Sequence, residues 1–444
     1  MSGPRGGEGA SRDQDAPGAE APPAESSPVA GARHWRDALI ALRVRNFRLF
    51  WFGQLVSGSG TWMQTVAQAW LVLSLSRSPL VLSTVVALQF LPMLAFALVG
   101  GVVADRLPKR RLLLATNSVA ALQALALGLL VSGGEARLWH VYALALLLGL
   151  TNAFNGPAQQ AFVPEMVGRE LVPQAVALNS VQFNAARMIG PALGGLAIAT
   201  LGLAEAFYLN AASYLPAILA LAAIRTRELR VQHGRPPGSA FAQLREGLSY
   251  VRRTPALLLV VLLLAAIGTF GFNWQTLIPL LARNTFGLDA TGLGVLMSAM
   301  GLGTLGASLA LAYSPHASES RLLAAAGALG AALVLLGLSP WYGVSVIVVG
   351  LGGFAGIVFM ITANTRLQTL SPDRLRGRVM SLFVLLMGGS TPVGALLFGV
   401  SAHWLGVRGA VTLFGGLCLG AAALATRRRE RAPSDEPLAA ASSR

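Results

Sequence analysis

Ala186-Arg187-Met188-Ile189-Gly190-Pro191-Ala192-Leu193-Gly194-Gly195 places an arginine, a proline and three glycines inside an apolar run. A simple membrane anchor would be weakened by all of them. A proline frees the carbonyl one turn earlier and permits a bend, while glycines remove bulk and let a second helix come close. The segment is therefore built to pack and bend within a bundle, and the rest of the chain has to supply the other helices.

It does so. The 444 residues are 54% hydrophobic and 12% charged, with a mean hydropathy of +0.61, which no ordinary soluble domain of this length shows. Mostly apolar runs of bilayer-crossing length, about 20 residues each, begin near residues 50, 80, 112, 138, 174 and 203, and again near 256, 290, 321, 341, 379 and 409. The chain reads as an all-α membrane protein, with twelve transmembrane helices arranged as two six-helix pseudo-symmetric bundles.

The basic residues orient these spans, because Lys and Arg collect in loops that stay inside. Of 34 Lys and Arg, only Arg77, Arg137, Arg283 and Arg408 fall in loops on the other side, and Arg187 lies within a span. Both termini are thus expected in the cytoplasm, and the net charge of +15 reflects topology. Nucleic acid is not a partner on this reading. Arg outnumbers Lys 33 to 1, a bias expected of a GC-rich bacterial genome, so the membrane is read as a bacterial plasma membrane.

Five regions follow. Residues 1–35 form a polar cytoplasmic tail without a signal peptide, 36–224 the first bundle, 225–255 a basic cytoplasmic linker, 256–426 the second bundle, and 427–444 a cytoplasmic tail. Trp35 to Arg48 reads as a basic amphipathic surface helix, with Trp35, Leu39, Leu42 and Phe47 on its apolar side. The linker segment 241–253 has the same character. A weak repeat joins the halves: Gln160-Ala-Phe-Val-Pro164-Glu165 and Gln368-Thr-Leu-Ser-Pro372-Asp373 each follow the fourth span of their half. Two related bundles joined by a basic loop describe a transporter with a midplane site.

After span 2 comes Gly101-Val-Val-Ala-Asp105-Arg106-Leu-Pro108-Lys109-Arg110-Arg111. An acid among cations at a helix end can make charge-assisted hydrogen bonds or cap a neighbouring helix across the bundle interface. Gly101, Asp105, Arg106, Lys109 and Arg110 are therefore candidates for a cytoplasmic conformational latch.

With these motifs the chain resembles the major facilitator superfamily over about residues 40 to 425. Gly101, Asp105, Arg106, Lys109 and Arg110 match its loop signature, with Pro108 in place of a second glycine. Gly190, Pro191, Gly194 and Gly195 match the glycine-proline motif found in its exporters, chiefly drug–proton antiporters. The combined pattern, with Asn179-Ser180-Val-Gln-Phe-Asn184-Ala-Ala-Arg187, is most similar to the branch of enterobactin and drug exporters. The resemblance implies efflux by alternating access, with the proton as coupling ion. One departure stands out. Asn155 and Gln159 occupy positions where that branch often carries an Asp and an Arg one turn apart, so no gating role of such a pair transfers here.

In span 1, Gln54, Ser57, Gly58, Thr61, Gln64, Thr65 and Gln68 form one polar stripe at helical spacing. Lipid contact would be costly for it, so the stripe either lines a cavity or bonds neighbouring helices. Span 7 offers Thr269, Asn273 and Thr276, with Trp274 and Gln275 beside them. The candidate substrate cavity is Gln54, Thr61, Gln64, Gln68, Asn184, Arg187, Asn273 and Gln275.

Arg187 lies too deep to reach the bilayer surface easily, and an unpaired mid-span arginine costs about 3 kcal/mol or more. Either it attracts an anionic group of a substrate or it holds the halves together by bonding carbonyls and amides. None of the 19 Asp and Glu residues sits in mid-span. A coupling proton is left with carboxylates near the membrane faces, with His140 or His403, or with the substrate itself.

No phosphate-binding loop, metal-ligand spacing or nucleophile motif occurs. No catalytic residue, metal or cofactor is expected, and the chain is not read as an enzyme. The expected activity is export of a small organic molecule, anionic or amphipathic, by proton antiport. The alternatives are a facilitator, importer or lipid flippase of the same fold, or a membrane sensor or scaffold that does not transport.

Overall fold

The computed structural model describes residues 39–230, 240–314 and 317–431, without the side chains of 97–106, 240–244, 312–313, 373 and 429–431. The tails and the 231–239 part of the linker lie outside the described residues, as do Trp35 and the side chains of Gly101, Asp105 and Arg106.

Spans 1 to 6 are Arg45–Leu75, Pro79–Arg106, Lys109–Ser132, Leu138–Val167, Val172–Thr200 and Leu203–Ala223. A linker helix, Ala240–Arg253, precedes span 7, which is Pro255–Gly271 continued by Trp274–Leu280. Spans 8 to 10 are Ala290–Tyr313, Glu319–Leu338 and Tyr342–Leu370. Spans 11 and 12, residues 373–405 and 407–431, meet at Gly406, whose φ of 72° suits glycine and breaks the helix. No strand occurs among the described residues. An even number of spans returns both ends of the described chain to one side, here called the terminal face.

By length and composition alone, nine stretches among the described residues could cross a membrane. Spans 11 and 12 run together in that reckoning, while spans 1 and 5 fall short. Their polar residues, Gln54 to Gln68 in one and Gln174 to Arg187 in the other, lower the mean hydropathy of helices that are long enough to cross.

The halves are built alike. Spans 2 and 4 meet where Gly149 lies against the Gln89 carbonyl, and spans 8 and 10 meet where Gly303 lies against that of Gly350. Spans 3 and 6 pack Gly128 on Tyr208, while spans 9 and 12 pack Gly337 on Thr412. The halves join along two seams, span 5 with span 8 and span 2 with span 11. Glycine removes the side chain at each crossing, which brings backbones together where lipid supplies no hydrophobic drive.

The surface helix expected from Trp35 to Arg48 takes a different form. Leu39–Arg43 is a short 3-10 turn, Val44 is extended, and span 1 begins at Arg45. Phe47 is fully buried in a cluster with Ala41, Leu113 and Phe162. Asn46 exchanges two hydrogen bonds with the Arg225 backbone, at 3.2 and 3.1 Å. These contacts draw Asn46 and Phe47 into the bundle, while Arg48 stays exposed. The 241–253 helix does form, and Glu246 pairs with Arg378 of span 11, so the linker helix rests on the second half.

Candidate functional site

The span 5 motif faces two neighbours at once. A methyl built on Gly190 would lie 2.5 Å from Trp62 Cβ and 2.6 Å from the Ser59 carbonyl, and one on Gly194 would lie 2.8 Å from the Met63 carbonyl. Both glycines press against span 1. Gly195 turns the other way, where a methyl would stand 2.7 Å from the Ala290 carbonyl of span 8. Pro191 sits inside a helix that continues to Thr200, and its ring nitrogen cannot donate to the Arg187 carbonyl. That freed carbonyl faces span 8 at Gly301, 3.0 Å from where a Cβ would be.

Span 8 answers with a ladder of small residues, Ala290, Gly294, Ser298 and Gly301. A methyl on Gly294 would meet the Pro191 carbonyl at 2.8 Å, and one on Gly301 would meet Met188 Cα at 2.7 Å. Sequence reasoning missed this partner. Its signal was present in small residues spaced four, four and three apart, a helix-packing pattern.

Arg187 lies on this seam. Its Nη2 donates to the Met300 thioether of span 8 at 3.8 Å, and its guanidinium stands 5.4 Å from the Trp62 ring centre. Buried Nε has no hydrogen-bond partner among the described residues, and neither does Ser298 Oγ on the facing helix. A thioether is a weak acceptor. The cation is therefore held by soft and aromatic surfaces, with Phe183 edge-on to Trp62 at 6.0 Å. Of the other residues on its face, Asn184 donates to the Ser180 carbonyl in its own helix.

The span 1 stripe divides. Gln64, 3% exposed, donates to Gln123 of span 3 at 3.0 Å and accepts from Asn210 of span 6 at 2.5 Å. Thr61 shares a 2.9 Å hydrogen bond with Tyr214. These two residues bond neighbouring helices inside the first half, as the second reading of the stripe describes, and do not stand at the seam. Gln54 accepts from Ser57 and leaves Nε2 without a partner among the described residues. Gln68 accepts from Gln89 of span 2 at 3.1 Å, and both line a space of about 20 Å³ together with Gln275 of span 7. Gln68 and Gln275 thus meet across the halves. Asn273, at the break in span 7, donates to the Thr269 carbonyl at 2.6 Å and packs on Gly394 within the second half.

The two loop-motif cations with described side chains work inside the first half. Lys109, the only lysine in the chain, pairs with Glu165 at the end of span 4 at 2.9 Å, both nearly buried. Arg110 donates to the Leu221 and Ala222 carbonyls at 2.6 and 2.8 Å. It thereby caps the C-terminal end of span 6, where unpaired carbonyls carry partial negative charge. Neither contact crosses between the halves. The second half repeats the ion pair with signs exchanged: Glu319 opens span 9 and Arg366, near the end of span 10, donates to it at 3.0 Å. Asn155 and Gln159 hydrogen-bond each other at 3.0 Å, a neutral pair that leaves no charge stranded. Lys109→Met should strand the Glu165 carboxylate and cost about 3–5 kcal/mol, whereas Lys109→Met with Glu165→Leu should recover most of it. Thermal unfolding in detergent reads both.

Residues 37–444 match the transmembrane secretion effector family. The chain belongs to the major facilitator superfamily. It is 31% identical over 380 residues to the multidrug efflux pump Tap of Mycolicibacterium fortuitum, covering 81% of this chain and 90% of Tap. It is 29% identical over 304 residues to the enterobactin exporter EntS of Shigella boydii, covering 68% of this chain and 72% of EntS. Among solved structures it superposes on a bacterial homologue of the human lysosomal transporter Spinster with a TM-score of 0.68. Identity there is 14%, over 90% of this chain and all of the other. The protein is a multi-pass membrane transporter of the efflux-related branch, and the family's members are transporters rather than enzymes.

Proposed function

We propose that this transporter exports an amphipathic small molecule bearing an anionic group, moving its two bundles alternately about the seam at Arg187 in exchange for protons. The observation that carries the proposal is the state of Arg187. A mid-span guanidinium normally finds a carboxylate or carbonyls within the protein, yet among the described residues this one meets a thioether and an indole and keeps one buried N–H unpaired. An incoming carboxylate or phenolate supplies the missing acceptor, while Trp62, Phe183 and Met300 suit an aromatic or apolar body.

Export is the direction that the names of the Tap and EntS relatives carry. The excess of Lys and Arg in the loops of the terminal face supports our reading of that face as cytoplasmic, in a bacterial plasma membrane. Every close approach between halves noted above lies from mid-span to the opposite face, so this conformation would receive substrate from the cytoplasm. With no Asp or Glu in mid-span, we place proton coupling on groups nearer the faces or on the substrate's own acid. Inside-out vesicles acidified internally should accumulate an anionic aromatic probe such as a catecholate. Equal uptake with and without the pH gradient removes antiport, and absence of flux for anionic probes when neutral ones move removes the anion.

A further inference from the structure

Span 7 ends in an irregular turn. Residues Leu281–Thr285 wind as a π-helix, in which Phe286 N–H donates to the Leu281 carbonyl at 3.0 Å. Such turns insert an extra residue and re-aim side chains, and they concentrate at functional places. Here the turn sends two successive side chains across to the other half. Arg283 stands 4.4 Å from the centre of the Trp70 ring, in the last full turns of span 1. Asn284 donates to the Arg77 carbonyl in the loop between spans 1 and 2, at 3.3 Å.

Arg283 is one of few basic residues on the face away from the termini, and among the described residues no carboxylate pairs with it. Its partner is the ring of the opposite half. Beneath this contact lies the 20 Å³ space lined by Gln68, Gln89 and Gln275, with Ala69 and Val85 in its wall. Ala69 and Val85 are buried there.

We infer that Arg283 and Trp70, with Asn284 on the Arg77 carbonyl, form the clasp that closes the transporter on the face opposite its termini. A guanidinium over an indole is a contact of middling strength. It holds while the halves are together, and once they part water hydrates the cation, so the clasp can release in every cycle. A buried ion pair at this place would resist parting more strongly, because opening would give up an attraction made large by the low dielectric. The clasp positions the halves and does not touch cargo, so its test needs neither a known substrate nor a known coupling ion.

The experiment starts from Cys418→Ala, which removes the chain's one cysteine, and adds Ala69→Cys below the clasp. A membrane-impermeant maleimide is applied from the side opposite the termini, and Glu135→Cys, on an exposed loop, serves as a control that should label at one rate throughout. Trp70→Ala and Arg283→Ala should each raise labelling of the thiol introduced by Ala69→Cys by ~5- to 30-fold, the range a contact of this kind supports. Combining them should add little to either alone, because both remove one contact. Trp70→Phe keeps a ring face and should stay near the parent. Arg283→Gln serves in place of the alanine variant if the latter does not run as a single species on size exclusion. Parental labelling rates in Trp70→Ala and in both Arg283 variants would overturn the clasp. So would fully additive effects in the double variant.

Discussion

Arg187→Gln should lower transport of an anionic substrate by about 10- to 100-fold while leaving the protein as stable as the parent, or slightly more so. Both halves of that expectation come from the partners the side chain has. Hydrogen bonds to a charged group contribute roughly 1.5–3 kcal/mol, and a carboxylate bound to Arg187 would lose that amount on neutralisation of the cation. The folded protein loses much less, since among the described residues the guanidinium donates only to the Met300 thioether, faces the Trp62 ring and leaves Nε unpaired. Removing a poorly compensated charge from a membrane interior relieves a penalty. An arginine that held the halves together would behave in the reverse way, with stability falling and transport of neutral and anionic compounds falling alike. The measurement is a pair of KM and Vmax series, one anionic and one neutral compound of the same family, beside thermal unfolding in detergent. Arg187→Lys should recover only part of the anion preference, because a single ammonium lacks the planar fork that grips a carboxylate twice.

The spans are legible in the sequence because a bilayer imposes one length and one polarity on every helix, and the loops between them punctuate the chain clearly. The start of span 1 is not. Residues 45–48 read as surface because Arg45, Asn46 and Arg48 are polar, yet Arg45 and Asn46 face carbonyls at the end of span 6, 178 and 179 positions later in the chain. The same separation hides the site's other half. Helical spacing puts Gln54, Thr61, Gln64 and Gln68 on one stripe, and no local pattern reports how span 1 is rotated within its bundle. A rotation that turns Gln64 toward Gln123 and Asn210 leaves Gln68, one turn along, against Gln89 and the seam. Arg187 is conspicuous for its depth, but Met300 and Trp62 carry no mark of being its neighbours. Glu165, the acid that completes the lysine pair, stands out in the sequence only as part of a repeat. The sign-exchanged pair Glu319 and Arg366 shows that the repeat extends to the ends of spans 3, 4, 9 and 10.

Gly301→Val should lower transport by roughly 5- to 150-fold without unfolding either bundle. The atoms a side chain would meet at Gly301 are backbone: Met188 Cα at 2.7 Å from a first methyl, and the Arg187 carbonyl oxygen at 3.0 Å. Backbone cannot swing aside as a long side chain does, so span 5 and span 8 must separate. Forcing extra carbons into a packed contact costs on the order of 1–3 kcal/mol, and here the cost falls on the closed form of the seam alone. A shift of that size changes the ratio of closed to open forms by roughly 5- to 150-fold, which slows every cycle that must pass through the closed form. The position is also where Pro191 withdraws its N–H from the Arg187 carbonyl, so that oxygen has the Gly301 backbone as its close neighbour on span 8. Gly301→Ala should show the same effect in smaller degree. Gly343, at which an added methyl meets nothing within 4 Å, provides the contrast: Gly343→Ala should leave transport near the parent level. Labelling of Ala69→Cys under the clasp should rise in Gly301→Val even with Arg283 and Trp70 intact, since a seam wedged open at span 8 carries the end of span 7 away from span 1. Unchanged labelling together with parental transport would show that spans 5 and 8 need not approach this closely during the cycle.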